Sequence, residues 1–294
     1  MYITANLMGG LGNQLFQIFV TFAHAIEIRY DVIFTYDDTL YNNTNRHTYW
    51  TSFLSNLVGY TSKENNNTRN QDIDRFYIYR EPRFQYSVIP HFTQQDVKLF
   101  GYFQSYKYFE YPPTFEKICD VIDVRAKQAA IKTKYENFFP ESRRIISMHF
   151  RLGDYKHIQD CHPLMPYEYY DKALSTTLAR FTQRCVDQQK FRVNYFCEKE
   201  DNDTVENMIR ILSNKYSGNV DFYKVDDNID DWKQLLLMSC CHDNIIANSS
   251  FSWWAAYFNR CDDKCVCYPG VWFGPSIRND VSDLFPDVWC KISV

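Results

Sequence analysis

The sequence predicts an α/β protein of two lobes, each built on a parallel sheet, and three observations carry that prediction. A strand, a glycine turn and an amphipathic helix open the chain and lead directly into a second strand. From Ile145 onward, strand and helix patterns alternate, as in a doubly wound sheet. The chain is 294 residues long, which is room for two lobes at about 150 residues per domain.

Tyr2 to Met8 reads as a short strand and is followed by Gly9-Gly10-Leu11-Gly12. A helix is predicted from Asn13 to about Tyr30, because Leu15, Phe16, Phe19, Phe22, Ala23 and Ile26 recur at helical spacing. Asp31 to Tyr36 is the second strand of a β-α-β unit. Tyr41 to Asn70 is rich in Asn and Thr, with Asn65-Asn66-Asn67 its most polar point, and predicts an exposed loop or insertion rather than core. Pro140 and the charged patch around Phe138 to Arg144 break the chain, so the lobes are predicted as 1–140 and 141–294. Ile145 to Phe150 then opens the second lobe as a buried strand. Helices are predicted at Tyr167–Thr182, Thr204–Tyr216, Trp232–Ser239 and Ser252–Asn259, alternating with strands at Phe191–Phe196, Val220–Val225, Asp243–Ala247 and Cys265–Tyr268.

Hydrophobic residues make up 45% and charged residues 23% of the chain, which excludes a disordered or membrane-embedded class. The net charge of -4 excludes general attraction to nucleic acid or anionic membranes, so any anion must be bound locally. Aromatic residues reach 18%, and in a chain of this size they read first as core filling. No signal peptide is expected before the first glycine turn. The most apolar stretch, Leu15 to Ile28, is interrupted by Gln17, His24 and Glu27 and falls short of the roughly 20 residues that span a bilayer. A cytoplasmic protein without a membrane span is therefore expected, with its ten cysteines as thiols and the glycosylation triplets at Asn42, Asn66, Asn202 and Asn248 unused.

Three constellations could carry chemistry. In Met8-Gly9-Gly10-Leu11-Gly12-Asn13-Gln14, glycines between a strand and a helix let the backbone approach a polar ligand. Leu15 stands where the dinucleotide fingerprint needs a third small residue, and the Lys-Ser/Thr ending of a P-loop is missing. A tight turn chosen for geometry alone is the other reading of this segment. His149-Phe150-Arg151-Leu152-Gly153-Asp154-Tyr155 lies at a strand end, where ligands bind in open α/β sheets, and Arg151 is suited to clamp a pyrophosphate. The plainer reading is a core histidine at His149 and an Arg151–Asp154 ion pair. Asn248-Ser249-Ser250-Phe251-Ser252-Trp253-Trp254 puts hydroxyls and backbone N–H groups at a helix N-terminus, with the tryptophans as core. Arg151 and this serine cluster come from two strands of one sheet, and together they imply a phosphorylated donor. The Asp72-Ile73-Asp74 and Asp201-Asn202-Asp203 triplets are too short to argue for a metal. Cys240, Cys241, His242, Cys261, Cys265 and Cys267 contain no C-x-x-C pair, which argues against zinc.

Taken together, G-G-L-G-N-Q-L-F-Q at Gly9 to Gln17, H-F-R-L-G-D-Y at His149 to Tyr155 and N-S-S-F-S-W-W at Asn248 to Trp254 resemble the α-1,2-fucosyltransferase family. Gly101 to Phe109 and Tyr169 to Ala173 add further echoes in the same order, so the resemblance spans nearly the whole chain. It implies two Rossmann-like lobes in a GT-B-type glycosyltransferase architecture, the first lobe on the acceptor side and the second binding the GDP-sugar. The implied activity is inverting transfer of L-fucose from GDP-β-L-fucose to the 2-hydroxyl of a terminal β-galactoside in a glycan, without a cofactor or an essential metal. Arg151, Asp154 and Asn13 are the implied catalytic residues, with Asp154 either a base or an orienter of Arg151. On the donor side the resemblance implies His149, Arg151, Asn248, Ser249, Ser250, Phe251, Ser252, Gly10, Gly12 and Glu198, and on the acceptor side Asn13 and Gln14. Where family members tend to carry Ser-Asp-Asp after a strand, this chain has Phe196-Cys197-Glu198-Lys199-Glu200-Asp201, keeping the acidity but not the identities. Animal relatives also carry a membrane anchor, so the chain resembles the bacterial or viral kind. The competing expectations are transfer from another donor such as GDP-mannose, or a non-catalytic glycan- or nucleotide-binding protein.

Overall fold

The protein, seen as a computed structural model, is described at residues 1–42, 44–64, 69–182 and 190–294. Its contacts divide it into two units, Met1–Ala126 with Asn279–Pro286, and Lys127–Arg278 with Asp287–Val294. The expected boundary near residue 140 therefore moves to a point inside a helix. Gln128, just past that point, donates its amide to Ser239 Oγ at 2.9 Å and to the Phe258 carbonyl at 3.2 Å, which commits its segment to the second unit.

The first unit contains β1 (Tyr2–Ala5), α1 (Leu11–Ile28), β2 (Asp31–Val32), an antiparallel hairpin of β3 (Thr39–Asn42) and β4 (Thr44–His47), α2 (Asn70–Ile73), β5 (Tyr77–Arg80), β6 (Val97–Phe100), α3 (Pro112–Ile122) and the start of α4 (Val124–Lys134). Its sheet runs β2-β1-β6-β5 with every pairing parallel. α1 starts two residues before the predicted Asn13, because the Gly10 carbonyl already accepts from Asn13 and Gln14 N–H at 3.0 Å. It ends where Arg29 turns left-handed at φ 59° and caps the Ala25 carbonyl. The second strand is shorter than predicted: Phe34 leaves the sheet to bridge Thr61.

The predicted exposed loop at 41–70 is in part core. Tyr49, Trp50, Phe53, Leu54 and Leu57 are buried, so the polar composition of the segment conceals apolar anchors. Its Asn65-Asn66-Asn67 stretch lies outside the described residues. β5 and β6 escape sequence reading because each is only four residues long and β5 is mostly exposed.

The second unit continues with β7 (Arg144–His149), α5 (Tyr167–Thr182), β8 (Phe191–Phe196), α6 (Asn202–Lys215), β9 (Val220–Lys224), α7 (Asp231–Ser239), β10 (Asp243–Ile245), α8 (Ser250–Phe258), β11 (Val266–Pro269) and β12 (Cys290–Ile292). Its six parallel strands run β12-β11-β10-β7-β8-β9. Counted within the unit this is the 3-2-1-4-5-6 order of the doubly wound fold, with the reversal between β7 and β10. The central strands β7 and β8 are buried on both faces, as a parallel sheet requires.

A buried ion pair pins the amino ends of these strands. The Asp243 carboxylate accepts from Arg144 Nε at 2.7 Å, Arg144 Nη2 at 3.0 Å and the Cys265 N–H at 2.7 Å. Losing one partner would strand a buried charge, at a cost of about 3–5 kcal/mol. At the other edge, the phenols of α5 serve the strand ends: Tyr169 Oη donates to the Ile246 and Cys267 carbonyls and Tyr170 Oη to that of His149. Most of the phenylalanines and tryptophans are core, each buried ring contributing roughly 1.5–3 kcal/mol, whereas most of the tyrosines are only partly buried or exposed.

Candidate active site

The carboxyl edge of the second sheet, where β7 and β10 part, is the site the fold prepares. Parallel pairing persists through Phe150, whose N–H reaches the Phe196 carbonyl at 2.8 Å, and stops there. Arg151 is the first residue free of the ladder. Its Nη2 pairs with the Asp154 carboxylate and its Nη1 with that of Glu198, from the turn after β8. Its guanidinium lies 5.0 Å from the centre of the Tyr155 ring. The arginine is largely buried while both carboxylates remain half exposed. These two pairs use two of the five guanidinium N–H donors and leave a fork for an anion.

Gly153 permits this packing. Its φ is +35°, and a Cβ there would lie 2.3 Å from Glu198 Oε2 and 3.1 Å from Arg151 Nη1. Its N–H donates to the fully buried Asp201 carboxylate at 2.8 Å, and Lys156 closes on the same carboxylate. Beneath, His149 is buried, with its ring 5.7 Å from that of Phe251. Burial, with the Arg151 charge added, pushes its imidazole down to about 3, so it is neutral at physiological pH. Its buried Nδ1 has no hydrogen-bond partner.

From β10 the chain enters α8, whose N-terminus presents the positive end of a helix dipole to the same edge. The predicted cluster of phosphate-binding hydroxyls is corrected here. Ser249 is the N-cap, accepting from the Phe251 N–H at 3.4 Å, and Ser252 points inward to the Ser249 carbonyl. Asn248 donates its amide nitrogen to the Pro163 and Trp272 carbonyls at 2.9 and 3.2 Å, bracing the loop, while its buried Oδ1 has no hydrogen-bond partner. Ser250, partly buried in the first turn of α8, stays at the edge, and Trp253 and Trp254 are core, as the sequence predicts.

The glycine turn belongs to the first unit, at the carboxyl end of β1. Gly9 has φ +74° and a Cβ there would meet Asn13 Nδ2 at 2.4 Å, so the turn requires a glycine at this position. Gly10 is the cap position of α1, and Gly12 is buried in its first turn. Asn13 Oδ1 accepts from Gln104 Nε2 at 2.7 Å. Gln14 is fully buried; its amide nitrogen donates to the Gly9 and His47 carbonyls at 3.0 Å each, and its buried Oε1 has no hydrogen-bond partner. Gln104 and Glu81 went unread. Glu81 accepts from the Tyr102 and Phe103 N–H groups, and burial pushes its carboxyl up to about 7. The one signal for Gln104 was its place in the Gly101–Phe109 echo.

Neither acidic triplet forms a metal pair. Asp74 is bonded to Lys98, Asp72 caps the Arg69 N–H, and Asp201 is locked as described. Among the described residues no group of three or more His, Cys, Asp or Glu side chains could hold a metal ion. Among the same residues no helix is long and apolar enough to cross a membrane.

A family model described as "Glycosyl transferase family 11" matches residues 3–269, and the chain belongs to that family, a family of fucosyltransferases. Two curated Escherichia coli proteins are similar to it. The O-antigen biosynthesis glycosyltransferase WbnK is 29% identical over 163 residues, covering 54% of this chain and 48% of that protein. The chain thus matches about half the length of WbnK. An alpha-1,2-colitosyltransferase is 26% identical over 314 aligned positions, covering 99% of this chain and 98% of that protein. Among solved structures, an Arabidopsis thaliana FUT1 mutant in complex with GDP superposes with a TM-score of 0.47 at 12% identity, covering 90% of this chain and 69% of that one. Fucosyltransferase NodZ from Bradyrhizobium gives 0.42 at 12% identity, covering 87% and 92%.

Proposed function

We propose that the protein transfers L-fucose from GDP-β-L-fucose to the 2-hydroxyl of a terminal galactoside, with inversion, forming an α-1,2 linkage. The observation that carries this reading is the convergence of Arg151 and the α8 N-terminus at the strand-order reversal of the second sheet, in a chain of a fucosyltransferase family.

In this reaction the acceptor hydroxyl oxygen attacks the anomeric carbon from the face opposite GDP, and its proton passes to water. The bond from that carbon to the β-phosphate oxygen breaks, and the departing diphosphate takes the electron pair. Positive charge develops on the sugar ring and negative charge on the β-phosphate. Arg151, oriented by Glu198 and Asp154, meets the growing negative charge with its remaining N–H donors, assisted by the α8 dipole. This replaces the charge a divalent metal would supply, so no essential metal is needed. Asp154, ion-paired to Arg151, orients the arginine. Asn13, held by Gln104 in the first unit, aligns the acceptor.

The test is incubation with GDP-fucose and a terminal β-galactoside in the presence of EDTA, followed by mass and linkage analysis. A product fucosylated at the galactose 2-hydroxyl is expected, and Arg151→Ala is expected to lower turnover by about 10²- to 10³-fold, the usual loss for one charge-stabilising donor. Full activity in that variant would remove Arg151 from the mechanism. The similarity to an alpha-1,2-colitosyltransferase over 99% of the chain supports a second reading, in which the transferred sugar is colitose. Competition among the fucose, colitose and mannose donors separates the two.

A further inference from the structure

Arg151 takes its position from three side chains, and two of them ride on one short strap. The strap is the 3-10 turn Gly153–His157, which carries Asp154, paired to Nη2, and Tyr155, whose ring lies beside the guanidinium. The third side chain, Glu198, stands at the start of the turn between β8 and α6. A strap this short, held only by its own 3-10 bonds, does not fix side chains to the accuracy that bidentate phosphate contacts need. Something must fasten it.

Asp201 does so. It lies three residues beyond Glu198 in the same turn, and its carboxylate is fully buried. One oxygen accepts the Gly153 N–H at 2.8 Å and the other takes the Lys156 ammonium. These two anchor points bracket Asp154 and Tyr155. A single carboxylate thus ties the strap to the turn that also supplies Glu198, and all three partners of the arginine are set by one buried group. Gly153 is required at the first anchor, because a Cβ there would collide with Glu198. The tyrosine is fastened once more, through Tyr155 Oη to the Asn248 carbonyl at 3.3 Å and by stacking of the His162 ring at 4.6 Å.

We propose that Asp201, closed by Lys156, is a positioning residue that presets the Arg151 guanidinium for the diphosphate of the donor. The inference rests on the reading that Arg151 binds that diphosphate. Asp201 touches no phosphate itself and acts through the strap. Its removal exposes no reacting group; it frees the arginine to occupy other rotamers, so affinity for the diphosphate and the rate of its departure fall together.

Asp201→Ala leaves the buried Gly153 N–H unpaired and empties the space of a fully buried carboxylate, so the decisive variant is Lys156→Met, which opens the bracket from its solvent side. GDP affinity by calorimetry, and kcat and KM for GDP-fucose, are measured for Lys156→Met, Arg151→Lys and the double variant. Lys156→Met strands the fully buried Asp201 carboxylate and is expected to lower the melting temperature in both backgrounds; it weakens GDP about fivefold only when Arg151 is present, and in the Arg151→Lys background its added effect on GDP falls below about twofold, since residues in one network are not additive. Equal effects of Lys156→Met on GDP affinity in both backgrounds would overturn the proposal, because the lysine would then act independently of the arginine. No effect on GDP affinity in either background would overturn it as well. If Arg151→Lys itself leaves GDP affinity untouched, it is the donor-site reading that fails, and the two failures are told apart in one set of titrations.

Discussion

His149 shows how burial sets chemistry at a single residue. In the unfolded chain its imidazole titrates near 6.5, whereas burial and the neighbouring Arg151 charge hold the folded value down to about 3. The native state therefore binds fewer protons than the unfolded state between these values. The contribution is fully present above pH 6.5 and is lost as pH falls toward 3. The His149 ring is expected to show no titration between pH 5 and 8 by NMR, and His149→Phe is expected to flatten the acid limb of the stability curve. A midpoint near 6.5 would place the ring in solvent. At this scale the motifs named Arg151 and Asp154 by the chemistry their residue types advertise, while Glu198 and the role of Asn13 came only from the family resemblance. The sequence could not say that Asn248 and Gln14 spend their amide nitrogens on backbone carbonyls, since those carbonyls include ones such as Pro163, Trp272 and His47 that only folding brings near.

Among the elements, the segments best read from sequence are those whose stabilising pattern is local. α1, α5 and the long strands of the second sheet carry their periodicity over enough residues to be recognised. β5 and β6 are too short for that, and the antiparallel β3–β4 hairpin is hidden in polar composition. The strap after β7 is a different case, because its form depends on a glycine whose missing side chain makes room for a distant carboxylate. Gly153→Ala is expected to drive Glu198 away from Arg151 and to cost about 1 kcal/mol in backbone strain at positive φ. Thermal unfolding and GDP titration check the two effects separately. A variant with wild-type affinity for GDP would show that Glu198 does not matter to the arginine.

At the scale of the whole molecule the chain does not divide by a single cut. After β11 it gives residues Asn279–Pro286 to the first unit before β12 completes the second. In the first unit Ser105 Oγ donates to the Asp283 carbonyl at 2.8 Å, Lys107 pairs with the Asp283 carboxylate, and Gln85 reaches Asp280 at 2.8 Å. In the second, β12 pairs with β11 and Trp289 packs on Trp253 at 5.5 Å. Truncation after Arg278 is therefore expected to lower the melting transitions of both units. Calorimetry in which only one transition moved would contradict this division of the C-terminal segment.

By itself the sequence determined the α/β class, the glycine turn before α1, the alternation of the second unit and the three motifs that mark a fucosyltransferase family, because each rests on neighbours within a few residues. Only the tertiary structure decided where the units divide, which polar side chains are braces and which remain at the site. It alone revealed that Asp201 fastens the strap of Arg151. These outcomes depend on contacts between residues far apart in the chain, such as Gly153 with Asp201 and Asn248 with Pro163. Such partners leave no periodic trace in a sequence, since what joins them is the packing of a sheet whose strand order departs from chain order.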